Sequence, residues 1–173
     1  MVLTEVLLSN FKGKNLKRNI YIDFTYFILL AASFGGVIVL GAFVAPVVFN
    51  TDKILVGMLM DNYNAGIIMG EIFHRFSYWV YVLALYVILY EGASYKSGSR
   101  DAITFAAAVT VVFSSLMFSS IYVPKILEMQ NMGREATQSD TFANLHIASE
   151  IDFKLLSVAL LVLFVRRLML LKI

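Results

Sequence analysis

Two long uncharged stretches stand out in the pattern of apolar and polar positions. Residues 24–49 run 26 positions without a charge, and residues 102–124 run 23. Each exceeds the ~20 residues that an α-helix needs to cross the hydrocarbon of a bilayer. Two further stretches share this character with interruptions. Residues 65–90 are apolar apart from Glu71, His74 and Arg75, and residues 142–165 apart from His146, Glu150, Asp152 and Lys154. Backbone groups in lipid must bond within their own segment, so each apolar stretch is a helix. The pattern therefore predicts an all-α, integral membrane four-helix bundle over residues 20–173, with spans at 24–49, 65–90, 102–124 and 142–165. Ahead of it, Leu3, Leu7 and Phe11 recur at helical spacing beside Lys12, Lys14, Lys17 and Arg18. That predicts a short interfacial basic helix within residues 1–19. The apolar segment 54–60 is expected in the interface as well.

Composition agrees with the bilayer as solvent. The chain of 173 residues is 60% hydrophobic and 15% charged, with mean hydropathy +0.78. A soluble domain is nearer a quarter charged. There is no cysteine, which excludes thiolate metal sites, disulfides and cysteine nucleophiles. Lysine and arginine set the orientation. Lys12, Lys14, Lys17, Arg18, Lys96, Arg100, Arg166, Arg167 and Lys172 fall on one side, against Lys53, Lys125 and Arg134 on the other. The positive-inside rule then predicts a multi-pass protein with both termini cytoplasmic. These basic residues sit at helix ends and form no face for nucleic acid. No nucleophile elbow or glycine-rich phosphate loop is present, so the expectation is a protein without catalytic activity.

Small residues recur four apart, at Ala31 and Gly35, Ala32 and Gly36, Ala102 and Ala106, and Ser115 and Ser119. Such pairs let membrane helices approach closely. Trp79 falls in mid-span and is expected between helices.

The chemistry concentrates on the second and fourth spans. Glu71, His74, Arg75 and Tyr78 stand at i, i+3, i+4 and i+7, one face of a helix. His146, Ser149, Glu150, Phe153 and Lys154 form a second stripe. Ionisable groups in lipid are costly and usually face the bundle interior, so the two stripes are expected to meet in the outer half. Asp152 points about 120° away from the second stripe, and its candidate partners are Ser114, Ser115, Ser119 and Ser120 of the third span.

Three readings of these residues stand side by side. In the first, Glu71, His74, His146 and Glu150 hold a transition metal, since a carboxylate and an imidazole one turn apart are the ligands of metal sites in helix bundles. Arg75, Tyr78, Ser149, Asp152 and Lys154 would support them. Imidazole and carboxylate suit zinc or iron, and the outer-side Met58, Met60, Met69, Met129 and Met132 add thioethers that suit copper. In the second, Glu71 pairs with Arg75 and Glu150 with Lys154, both in the favourable i, i+4 order, and the stripes are structural. The protein is then a non-catalytic subunit of a larger membrane complex or a homo-oligomer. In the third, His74 and His146 ligate haem b axially.

The order of short motifs adds a resemblance. The first span ends Gly41-Ala-Phe-Val-Ala-Pro46-Val-Val-Phe49, and the second begins Ala65-Gly66-Ile-Ile-Met-Gly70-Glu71-Ile-Phe73. The third ends Tyr122-Val-Pro124-Lys-Ile126, and the fourth begins Phe142-Ala-Asn-Leu145-His146-Ile-Ala-Ser149. Over residues 20–165 this order resembles the four-helix membrane family of unknown function of the transmembrane protein 205 type, which is similar to copper-resistance protein D. The resemblance implies a four-helix inner-membrane protein, of a family in which heavy-metal tolerance is suggested for some members. Glu150, Asp152 and Lys154 depart from it, where such proteins continue with apolar or amide residues.

Overall fold

The computed structural model describes residues 20–54 and 60–171. The expected interfacial segment, and Met58 with it, lie outside these residues. The described chain is helical, with four long helices and one short one. They are α1 (Ile20–Phe49), α2 (Asn62–Lys96), α3 (Ala102–Asn131), α4 (Arg134–Thr137) and α5 (Asp140–Leu170). Among the described residues α1, α2 and α3 are long and apolar enough to cross a membrane. The helix α5 is of similar length but carries Glu150, Asp152, Lys154, Arg166 and Arg167 and falls outside that group.

Local chemistry sets the helix starts. Asp61, Asp101 and Ser139 each place a side-chain oxygen on the backbone N–H three residues on, at Asn64, Thr104 and Phe142. These caps satisfy donors that a helix N-terminus leaves free. The turns between helices use glycine where φ is positive, at Gly98 (+99°) and Gly133 (+105°).

Proline explains the interruptions inside α1 and α3. The chain has two prolines, Pro46 and Pro124, and each follows a π-helical turn, Val39–Val44 and Phe118–Tyr122. A proline donates no N–H and its ring crowds the carbonyl four residues back. The preceding residue then bonds one position further, from Ala45 to the Leu40 carbonyl and from Val123 to the Phe118 carbonyl. The widened turn lets both helices continue past the proline.

The four long helices pack in the order α1, α2, α3, α5 and back to α1, so α2 and α5 stand across the diagonal. Their shared core contains Tyr26, Leu30, Leu83, Val87, Val111, Leu156, Leu160 and Leu163, all buried. Small residues act where backbones approach, but at positions that the small-residue spacing only partly indicated. A Cβ on Gly36 would lie 3.0 Å from the Phe76 ring. Gly66 and Gly70 admit the Gln130 side chain, whose amide donates to the Gly66 carbonyl at 2.8 Å. Trp79 does join two helices, through a 2.9 Å hydrogen bond to Ser33, while part of its ring stays exposed.

Candidate functional site

The α2 stripe forms as its spacing predicts, but it faces outward. Arg75 donates to Glu71 at 2.7 Å, and both side chains are exposed, at 78% and 54%. They share their face with exposed Ile68, Tyr78, Val82, Leu85 and Leu89. The α5 stripe repeats this arrangement. Lys154 contacts Glu150 at 3.2 Å, His146 Nδ1 lies 3.4 Å from the same carboxylate, and exposed Ile147, Ile151 and Val158 surround them. His74 is half-buried, with its Nε2 3.3 Å from the Tyr78 hydroxyl. The Ser149 hydroxyl turns back to the His146 carbonyl at 2.7 Å.

The expectation that the stripes face inward meets a steric fact. The interior between α2 and α5 is occupied by aromatic rings. Phe153 sits 5.4 Å from Phe73, 6.3 Å from Phe76 and 5.0 Å from Phe118, centroid to centroid. With α2 and α5 on the diagonal and this cluster between them, each acid turns to the base on its own helix. Among the described residues no three His, Asp or Glu gather as a metal ion would require. The structure brings Glu71 to Arg75 and His74 to Tyr78, and on α5 brings both His146 and Lys154 to Glu150. It does not bring the two stripes to each other. His74 instead lines an open recess with α3, beside Pro124, Leu127, Glu128, Asn131 and Met132. Of the other outer-side methionines, Met69 is buried in the helix packing.

Asp152 behaves differently from its neighbours. It is buried, as its angle from Glu150 requires, and Ser114 of α3 is the side chain that acts on its carboxyl.

The end where α1 begins holds a network among residues that the charge pattern places only at span ends and loops. Arg167 is 3% exposed and makes a two-pronged ion pair with Glu91, one prong at 2.8 Å. The Tyr26 hydroxyl donates to the same carboxylate at 2.7 Å, and Tyr26 stacks on Tyr90 at 3.7 Å. Tyr90 in turn donates to Asp23 at 2.7 Å. Beside it Arg166 grips Asp101 through two bonds, at 2.7 and 3.0 Å. Arg166 and the Thr104 N–H hold the Asp101 carboxyl well below the usual carboxylate range. At the opposite end the Asn64 N–H, and then Arg134, lower Asp61 in the same way. The available signal was depth: Glu91 and Arg167 close two spans at one level, which marks them as partners.

No curated protein and no solved structure matches the chain. A family match covers residues 28–135, which hold most of α1, all of α2 and α3, and none of α5. The polar groups of α5 thus lie outside the matched segment. Over those matched residues the chain belongs to the family defined by the domain of unknown function DUF4149.

Proposed function

We propose that this protein is a non-catalytic subunit of a larger membrane complex, held in the inner (cytoplasmic) membrane by four spanning helices with both termini cytoplasmic. One observation carries the reading: Glu71, Arg75, Glu150 and Lys154 lie on outward faces of α2 and α5, among residues otherwise suited to lipid. About 20 residues of α2 counted back from Glu91 reach Glu71, so Arg75 lies roughly 6 Å inside the hydrocarbon. By the same count from Arg166, Lys154 lies deeper still. A charged residue at the centre of a membrane helix costs about 2.5–3.5 kcal/mol, and pairing reduces this without removing it. A second transmembrane chain with polar groups at that depth would relieve the cost. The test is a photo-crosslinking amino acid at position 78 or 158 in native membranes. One discrete protein adduct from each position supports the reading. Crosslinks to lipid alone overturn it.

A second reading keeps the metal. His74 and Met132 line one recess between α2 and α3, an imidazole and a thioether of the kind that suits copper(I). The order of short motifs that resembles the transmembrane protein 205 type, similar to copper-resistance protein D, suggests it, and no matched relative adds to that. Under this reading elemental analysis finds near-stoichiometric copper, and both His74→Ala and Met132→Ala lower it. Unchanged copper in both variants removes the reading.

A further inference from the structure

One group of buried atoms has no part in either reading. Asp152 on α5 is 8% exposed, Ser119 on α3 is 3% exposed, and Ser114 and Ser115 are fully buried. Asp152 Oδ2 and all three hydroxyls lack a hydrogen-bond partner. Buried polar groups are rarely left this way, and four in one region of one chain call for a cause.

Register brings them to adjacent turns. α3 and α5 run antiparallel, joined by Asp101 with Arg166 near one end and by Phe118 with Phe153 in the middle. By these two contacts Ser119 falls level with Asp152, and Ser114 and Ser115 fall about one turn nearer the Asp101 end, level with Leu156 and Leu155. Ser114 lies close to the Asp152 carboxyl, outside hydrogen-bond geometry. Ser119 lies within the π turn Phe118–Tyr122, and Pro124 offers that turn no N–H. One main-chain carbonyl there is consequently short of its helical donor. Broken helices in membrane proteins commonly use such carbonyls to coordinate ions.

Charge sets what the group can hold. Among the described residues no base pairs with Asp152. Lys154 and Glu150 pair with each other on the exposed face. The residues packed around neighbouring Phe153 are Phe73 and Phe76 of α2, Phe118 of α3 and Gly41 of α1, none of them titratable. A buried carboxylate without a base must take up one positive charge. A proton on Oδ2 would donate to one hydroxyl and leave the other two as they are. A divalent ion would leave excess charge in the helix interior. Hydroxyl, carbonyl and carboxylate oxygens are hard ligands, suited to a hard cation.

We propose that Asp152, Ser114, Ser115 and Ser119 form an oxygen-only site for a single sodium ion, set in the helix packing beside the π turn of α3. The experiment is equilibrium binding of radioactive sodium to the full chain in lipid nanodiscs. One saturable site per chain is expected, with lithium competing better than potassium. Asp152→Asn should abolish it, Ser114→Ala should weaken it at least several-fold, and Glu150→Gln should leave it unchanged. Absence of saturable binding in the unaltered protein overturns the proposal, as does binding that survives in both Asp152→Asn and Ser114→Ala. Dicyclohexylcarbodiimide, which attacks protonated carboxyls in apolar surroundings, supplies a second readout. Sodium chloride should protect Asp152 from it where choline chloride does not. Labelling of Asp152 that ignores sodium means that the carboxyl holds only a proton, and overturns the sodium site.

Discussion

The two halves of this molecule treat charge in opposite ways. At the end where α1 begins, acids and bases pair between helices and are withdrawn from the surface: Arg167 of α5 reaches Glu91 of α2, and Tyr26 of α1 closes on the same carboxylate. In the other half Arg134 reaches Asp61 at the far end, but along the helices Glu71 with Arg75 and Glu150 with Lys154 pair within one helix and stay exposed. A pair between helices fixes their relative position, because separating them strands a charge. A pair within a turn survives any rearrangement of the helices and says nothing about their packing. One half therefore uses ion pairs to hold its own fold. The other leaves charge on faces that lipid would reject.

Breaking the first kind of pair should have the largest effect. Glu91→Leu leaves the Arg167 guanidinium buried without a counter-charge, at a cost of about 3–5 kcal/mol. Adding Arg167→Met should restore most of that stability, since an apolar pair of similar volume removes the stranded charge. Thermal unfolding in detergent checks both variants. Equal losses in the single and double variants would show that the network does not act as a pair.

A smaller loss is expected where α2 meets α3. A Cβ on Gly70 would come 2.5 Å from Gln130 Oε1. In Gly70→Ala the flexible glutamine moves and gives up its bond to the Gly66 carbonyl, for about 1–2 kcal/mol. Gly70→Ala with Gln130→Ala should cost no more than Gln130→Ala alone, by the same melting measurement.

Acid sharpens the contrast further. The Asp101 carboxyl has a lowered pKa in the folded protein, because Arg166 and the Thr104 N–H stabilise its charge. Its contribution is therefore complete above the ordinary aspartate range. It is lost as pH falls below about 4 and approaches the lowered folded value. The difference in melting temperature between the unaltered protein and Asp101→Asn should shrink across that window. A constant difference would mean that the ion pair contributes nothing.

The sequence showed the helices more fully than it showed their arrangement. Uncharged runs located α1 and α3 because a bilayer span leaves a direct mark on composition. The i, i+4 pairs on α2 and α5 were also legible, since helical periodicity alone brings Glu71 to Arg75 and Glu150 to Lys154. Which way those faces point was not. That depends on α2 and α5 standing on a diagonal, and on Phe73, Phe76, Phe118 and Phe153 taking the interior between them. Neighbour order is a property of the whole packing and no single stripe encodes it. Asp152 shows the same boundary from the other side. Its angle from Glu150 fixed only their relative direction; that Asp152 and not Glu150 is the buried one depends on the same packing.

The smallest change in stability carries the most information about function. Glu71→Gln with Arg75→Gln removes an exposed pair, and exposed i, i+4 pairs contribute only about 0.3–0.5 kcal/mol. Uncharged glutamines on that face are also cheaper to place in lipid, which works against even this small loss. The isolated protein should therefore melt within a degree or two of the unaltered one. If the face is covered by another membrane chain, the same variant loses its partner groups, and the crosslink from position 78 should fall several-fold. An unchanged melting temperature with a lost crosslink assigns these charges to an interface. An unchanged crosslink means that the neighbouring chain is held by other groups of that face, with the ion pair only a neutral pair within it.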